Sequence, residues 1–157
     1  MSREVIPPSV EDLKKVGVEI PKEGVVILDI FTEWCGPCKQ ISPVLHALQD
    51  EGLIKVVQED LDKNRPLAEN HNIMAIPTLV IFKDGKRIGD IPGDASNMPL
   101  TEFFQRATQG LDVSLLKDGK EIEIKGFEIS IKRSLVKDGV MVGFPGEEAL
   151  RKLVKEL

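Results

Sequence analysis

Residues Val25 to Leu45 read VVILDIFTEWCGPCKQISPVL. The first seven are apolar and rich in β-branched side chains, interrupted only by Asp29. That is the pattern of a strand covered on both faces, typically a central parallel strand. Beyond it, Ile41, Val44, Leu45 and Leu48 recur at i, i+3, i+4 and i+7, the apolar stripe of an amphipathic helix. Pro43 lies inside that stripe and is expected to kink the helix, because it removes a donor and crowds the preceding turn. At the junction of strand and helix stands Cys35-Gly36-Pro37-Cys38, and these are the only two cysteines in 157 residues.

Such a pair has three uses: a structural staple, half of a metal site, or a redox couple. The start of the chain, MSREVIPPSVEDLKK, has no apolar core of a secretion signal, and no run approaches the ~20 apolar residues that span a bilayer. The cytoplasm is therefore the expected compartment, where a purely structural disulfide would not persist. A net charge of −5 and an isoelectric point near 5.2 argue against nucleic acid or anionic membranes as main partners. A four-coordinate zinc site needs two further ligands. The histidines are His46 and His71, both read as surface residues, so redox chemistry is favoured and no metal or bound cofactor is expected. A helix N-terminus carries unpaired N–H groups that stabilise a thiolate. Cys35 is thus expected to be the exposed nucleophile. Cys38, one turn in, is placed to resolve the mixed disulfide. Gly36 permits the tight turn and Pro37 presets the first helical φ.

Working outward, Ser9 and Asp12 have the spacing of a capping box before a short helix that ends near Gly17. An edge strand before Ser9 is also allowed. LIKVVQEDLD is a second strand, and Asn64 with Pro66 opens a short helix. PTLVIF, the turn KDGK and RIGDI predict a β-hairpin. Leu100, Phe103, Phe104 and Ala107 mark a further helix with Pro99 in its first turn. The alternation gives an α/β domain, a mixed sheet with helices on both faces. From Gly110 the pattern alternates apolar and polar residues, with turns at Asp118-Gly119 and Asp138-Gly139. It predicts an antiparallel meander, then a helix with Leu150, Leu153, Val154 and Leu157 on one face. The expected division is a domain over 1–109 and a β-rich extension over 110–157. An extension of this size is marginal alone. It must pack on the first domain, which is favoured, or on a second copy of the chain as a homodimer. One echo stands out: KDGKRIGDIPG (Lys83–Gly93) is matched by KDGVMVGFPG (Lys137–Gly146), each followed by an amphipathic helix. The plainer reading is a repeated turn chemistry; the sharper one is a repeated closing hairpin and helix.

DIFTEWCGPCKQISPVL, DLDKN, IPTLVIFKDGKRIG and Pro92-Gly93 resemble the thioredoxin family in order and spacing, over about residues 9–109. The resemblance implies a thioredoxin-like fold and an enzyme that reduces protein disulfides by dithiol–disulfide exchange at the WCGPC site. It also implies recharging by a thioredoxin reductase or equivalent electron donor. The depressed thiol pKa of such a pair is itself a known thioredoxin property. The resemblance makes Asp29 the buried proton acceptor for Cys38. It makes Pro77 a cis proline, and Trp34, Gly36, Pro37, Ile76, Pro77 and Gly93 the surface that docks a substrate. Ile76 would pair its backbone with an extended client segment. Phe31 stands where many members carry Trp, and Gln58 where many carry a Lys near the buried aspartate. The rival reading is a scaffold subunit of the same fold, whose extension docks partners or dimerises.

Overall fold

The structure, a computed structural model, describes residues 4–109 and 111–157. The buried run is β1 (Val25–Phe31), and the cysteine motif opens α2 (Gly36–Asp50). Before them lies α1 (Val10–Lys15). Its capping box is complete: Asp12 N–H donates to Ser9 Oγ at 3.0 Å, and Ser9 N–H donates to Asp12 Oδ2 at 3.1 Å. Then follow β2 (Lys55–Asp60), a 3-10 turn (Leu61–Lys63) and α3 (Arg65–Asn70), capped by Asn64. The hairpin comprises β3 (Thr78–Lys83) and β4 (Lys86–Arg87), turning through Asp84 and Gly85, both at positive φ. The order continues with β5 (Ile91–Pro99), α4 (Leu100–Thr108), β6 (Leu115–Lys117), β7 (Lys120–Ile122), β8 (Glu128–Val136), β9 (Val140–Val142) and α5 (Glu147–Glu156).

β1 pairs in parallel with β2 and antiparallel with β3, and the sheet runs β2-β1-β3-β4 with β9 also on β3. The apolar run of β1 splits by parity, as strand geometry requires. Ile27 enters one cluster with Ile41, Leu45 and Leu48 of α2, while Val26, Leu28 and Ile30 enter another with Leu13 and Leu67. Both faces are therefore covered, as expected of an α/β sheet.

The chain divides into two units, but not at the expected break between 109 and 110. One unit joins Met1–Ile91 to Leu135–Leu157; the other is Pro92–Ser134. Within the second unit β6 and β7 form a hairpin, and β5 and β8 make a two-stranded ladder. The expected single meander is thus broken up. Residues 4–9 form no edge strand, and Gly110, where the change of pattern begins, lies outside the described residues.

The reason lies at the edge of β3. The expected RIGDI strand stops after Arg87. Hairpin pairing sets Phe82 against Arg87 and Lys83 against Lys86. Continued in the same register, it would set Gly89, Asp90 and Ile91 against Val80, Leu79 and Thr78. Instead Val140, Met141 and Val142 take those places. Met141 is 2% exposed and belongs to the cluster around α2. Asp90 there would bury an unpaired carboxylate, and glycine is a poor strand former, so the apolar triplet is favoured. The chain leaves and rejoins at one point. Gly139 N–H donates to Gly89 O at 3.3 Å, and Asp138 N–H to Asp90 Oδ1 at 2.7 Å. Val136, Leu150, Leu153 and Val154 complete the core, and Arg151 on α5 grips both carboxylate oxygens of Glu51 at 3.0 and 2.8 Å. Within the chain, the last part of the extension packs into the cluster around α2.

Candidate active site

The site begins where β1 ends. Parallel pairing with β2 and antiparallel pairing with β3 put the end of β1 beside the start of β3, where Ile30 faces Thr78. The loop after β1 and the loop before β3 therefore meet at one end of the sheet. Cys35 is the N-cap of α2, Gly36 and Pro37 are its first residues, and Cys38 is the third. Cys35 and Cys38 form a disulfide with a Cα–Cα distance of 5.3 Å. Cys38 N–H donates to Cys35 Sγ at 3.1 Å, so an N–H of the helix start that has no partner within the helix is satisfied by this sulfur. In this oxidised form both cysteines are only 4% exposed, which corrects the expectation of an exposed Cys35. The cap geometry turns Sγ inward onto the helix N–H, and the exposed surface is left to Trp34, Gly36 and Pro37.

Trp34 is 72% exposed, not a core aromatic, and its Nε1–H donates to Asp62 Oδ2 at 2.8 Å. Ile76–Pro77 is cis, as the resemblance implied, with Ile76 half-buried and Pro77 buried. Asp29 is 1% exposed. Gln58, opposite it on β2, donates through Nε2 to Asp29 Oδ2 at 3.2 Å, while Asp29 Oδ1 is buried without a partner. Burial pushes the Asp29 carboxyl above its ordinary value, against smaller opposing effects from the Gln58 hydrogen bond and the charge of His46.

Two placements differ from expectation. His71 is buried at 6%, with Nδ1 2.8 Å from Ile6 O; it ties the N-terminal segment to the end of α3 rather than facing solvent. Gly93 belongs to the second unit, and the glycine that meets Pro77 is Gly143, whose N–H donates to Pro77 O at 2.8 Å. Val142, paired with Thr78 and 53% exposed, stands next to it. The sequence signal for this pair is the KDGVMVG echo of KDGKRIG, in which Val142 and Gly143 stand where Ile88 and Gly89 do. Among the described residues no cluster of His, Cys, Asp and Glu is arranged to hold a metal ion, and no helix is long and apolar enough to cross a membrane.

The family model for thioredoxin matches residues 11–106. The chain belongs to the thioredoxin family. Thioredoxin of Bacillus subtilis (strain 168) is 47% identical over 86 residues, covering 54% of this chain and 83% of that protein. Thioredoxin of Chlamydia trachomatis serovar D is 46% identical over 66 residues, covering 41% of this chain and 65% of that protein. Among solved structures, a mutant thioredoxin from Halobacterium salinarum NRC-1 aligns over 98% of this chain and 90% of its own, with 22% identity and a TM-score of 0.49. With its Cys35–Cys38 pair intact, this thioredoxin-family chain is a dithiol–disulfide oxidoreductase.

Proposed function

We propose that the protein reduces disulfides in client proteins, in a reducing cytoplasm, with Cys35 attacking, Cys38 resolving and Asp29 handling the proton. The Cys35 thiolate displaces one client sulfur as thiolate and forms a mixed disulfide. Asp29 takes the Cys38 thiol proton; the Cys38 thiolate attacks Cys35 Sγ and expels the second client sulfur. Cys35 and Cys38 end as the disulfide, oxidised by two electrons, and the client gains two electrons and two protons. A reductase of the thioredoxin reductase type returns the two electrons. Trp34, Gly36, Pro37, Ile76 and Pro77 form the docking surface, with Gly143 in the neighbourhood first assigned to Gly93. The observation that carries this reading is the Cys38 N–H aimed at Cys35 Sγ at the start of α2, which favours the thiolate on Cys35.

The test is disulfide reduction on insulin with a dithiol electron source. Cys35→Ser should abolish turnover, and Cys38→Ser should accumulate mixed disulfides through Cys35. Mixed disulfides that form through Cys38 in the Cys35→Ser protein, at a rate equal to wild type, would reverse the roles. A wild-type protein unable to reduce insulin would leave the scaffold reading in its place.

A further inference from the structure

A polar bridge that the exchange chemistry does not by itself require joins Asp29, Gln58 and Ser42. Gln58 Nε2 donates to Asp29 Oδ2 at 3.2 Å and to Ser42 Oγ at 3.4 Å, so one amide bridges β1 to α2. Ser42 follows Cys38 by four residues on α2, hence it lies on the same side of the helix one turn further in. The amide therefore links the Asp29 carboxylate to the helix flank that carries Cys38. The hold is one-sided: Oδ2 is bonded, and Oδ1 is buried and unpartnered. We propose that Gln58, anchored by Ser42, is a positioning residue that fixes Asp29 through Oδ2 and leaves Oδ1 to exchange a proton with Cys38.

An amide suits this task because of its donor and acceptor inventory. Its NH2 group donates to the ionised carboxylate, and, turned over, its carbonyl oxygen accepts from the protonated acid. An ammonium in the same place would only donate, and its charge would favour the ionised form of Asp29 more strongly than an amide does. Asp29 must pass between both forms in each turnover, taking the Cys38 proton and then releasing it. The surroundings leave the amide in control. Across the other edge of β1 stands the apolar Leu79, and from α2 the charge that bears on Asp29 is that of the exposed His46. Burial disfavours the carboxylate, and the Gln58 hydrogen bond opposes that burial only in part.

This inference rests on the reading that Asp29 serves Cys38, and two readouts separate them. The first is the titration midpoint of the Asp29 carboxyl, followed by carbon NMR in the oxidised full chain. The second is the pH profile of the release of a trapped client mixed disulfide by Cys38. Gln58→Lys should lower the midpoint by about one pH unit or more, a tenfold change in the ionised fraction. Gln58→Met, of similar shape without the amide, should raise it. The release profile should move in the same direction as the midpoint in each variant. A midpoint unmoved in both variants, with native folding retained by circular dichroism, overturns the role of Gln58. A midpoint that moves while the release profile stays fixed overturns the role of Asp29 itself.

Discussion

Single residues in this chain are constrained by what their neighbours leave them. Asp29 illustrates a carboxylate kept at a cost to the fold. Its folded-state pKa is raised by burial, so the native state binds its proton more tightly than the unfolded chain, whose aspartates titrate near about 3.9. Stability therefore falls as pH rises from that unfolded value through the raised native one, and the penalty is fully present above it. Asp29→Asn is expected to melt higher than wild type at pH 8 and to converge with it near pH 3. Thermal melts at the two pH values check this, and equal melting temperatures at pH 8 would remove the burial penalty. Gly139 is constrained in the opposite way, by space. It sits at φ +79°, and a Cβ there would lie 2.7 Å from Ile88 O and collide with Arg87 Cγ. Gly139→Ala should cost roughly 1–3 kcal/mol in denaturant unfolding, since a backbone oxygen must move as well as a side chain. A loss under about 0.5 kcal/mol would mean that the rejoining point of the chain relaxes freely. The sequence marked Asp138-Gly139 as a turn. It did not mark the glycine as the place where two distant stretches touch, because that crowding comes from Arg87 and Ile88.

At the scale of elements, what could be read depended on whether the signal was local. β1, α2, α3 and α5 were legible because their apolar pattern or opening residues lie within one short window, and the capping box of α1 closed as its spacing required. The edge of β3 was not legible. KDGKRIG has the turn chemistry of a full hairpin, yet only β4 forms, and β9 arrives from about fifty residues downstream to finish the edge. Strand pairing is decided by which side chains the sheet can bury, and a local window does not contain the competitor. The choice between the two echoes was settled by Asp90 against Met141. The same logic predicts the weight of α5. Leu150 and Leu153 are buried in the cluster with Leu45 and Leu48 of α2. Leu150→Ala should therefore destabilise by about 2–5 kcal/mol, as for other large-to-small core changes. Exposed Leu116, in the second unit, should lose less than about 0.5 kcal/mol on the same substitution. Urea unfolding of the two variants side by side reads the contrast, and equal losses would show that α5 does not belong to the core.

For the whole molecule, the question is which stretch of chain closes the redox unit. The family match covers residues 11–106 and so runs through β5 and α4, whereas the sheet is closed by β9 and α5. The two accounts predict opposite outcomes for two deletions. If β9 and α5 are the closing elements, residues 92–134 are an insertion whose ends meet at Gly89, Asp90, Asp138 and Gly139. Replacing them by a short Gly-Ser linker should leave a cooperatively folding protein that reduces insulin within a few-fold of wild type. Stopping the chain after Gln109 instead removes Val136, Val140, Met141, Leu150, Leu153 and Val154 from the core. At about 1.5–3 kcal/mol for each buried side chain, the loss is on the order of 10 kcal/mol. That is comparable to the entire stability of a domain of this size. The truncated chain should therefore be unfolded and inactive. A protein of residues 1–109 that melts cooperatively and reduces insulin would reverse the assignment. It would mean that Gly89 to Ile91 and α4 can occupy the edge of β3 once Val140 to Val142 are gone, so that the two echoed segments are alternative closures of one sheet.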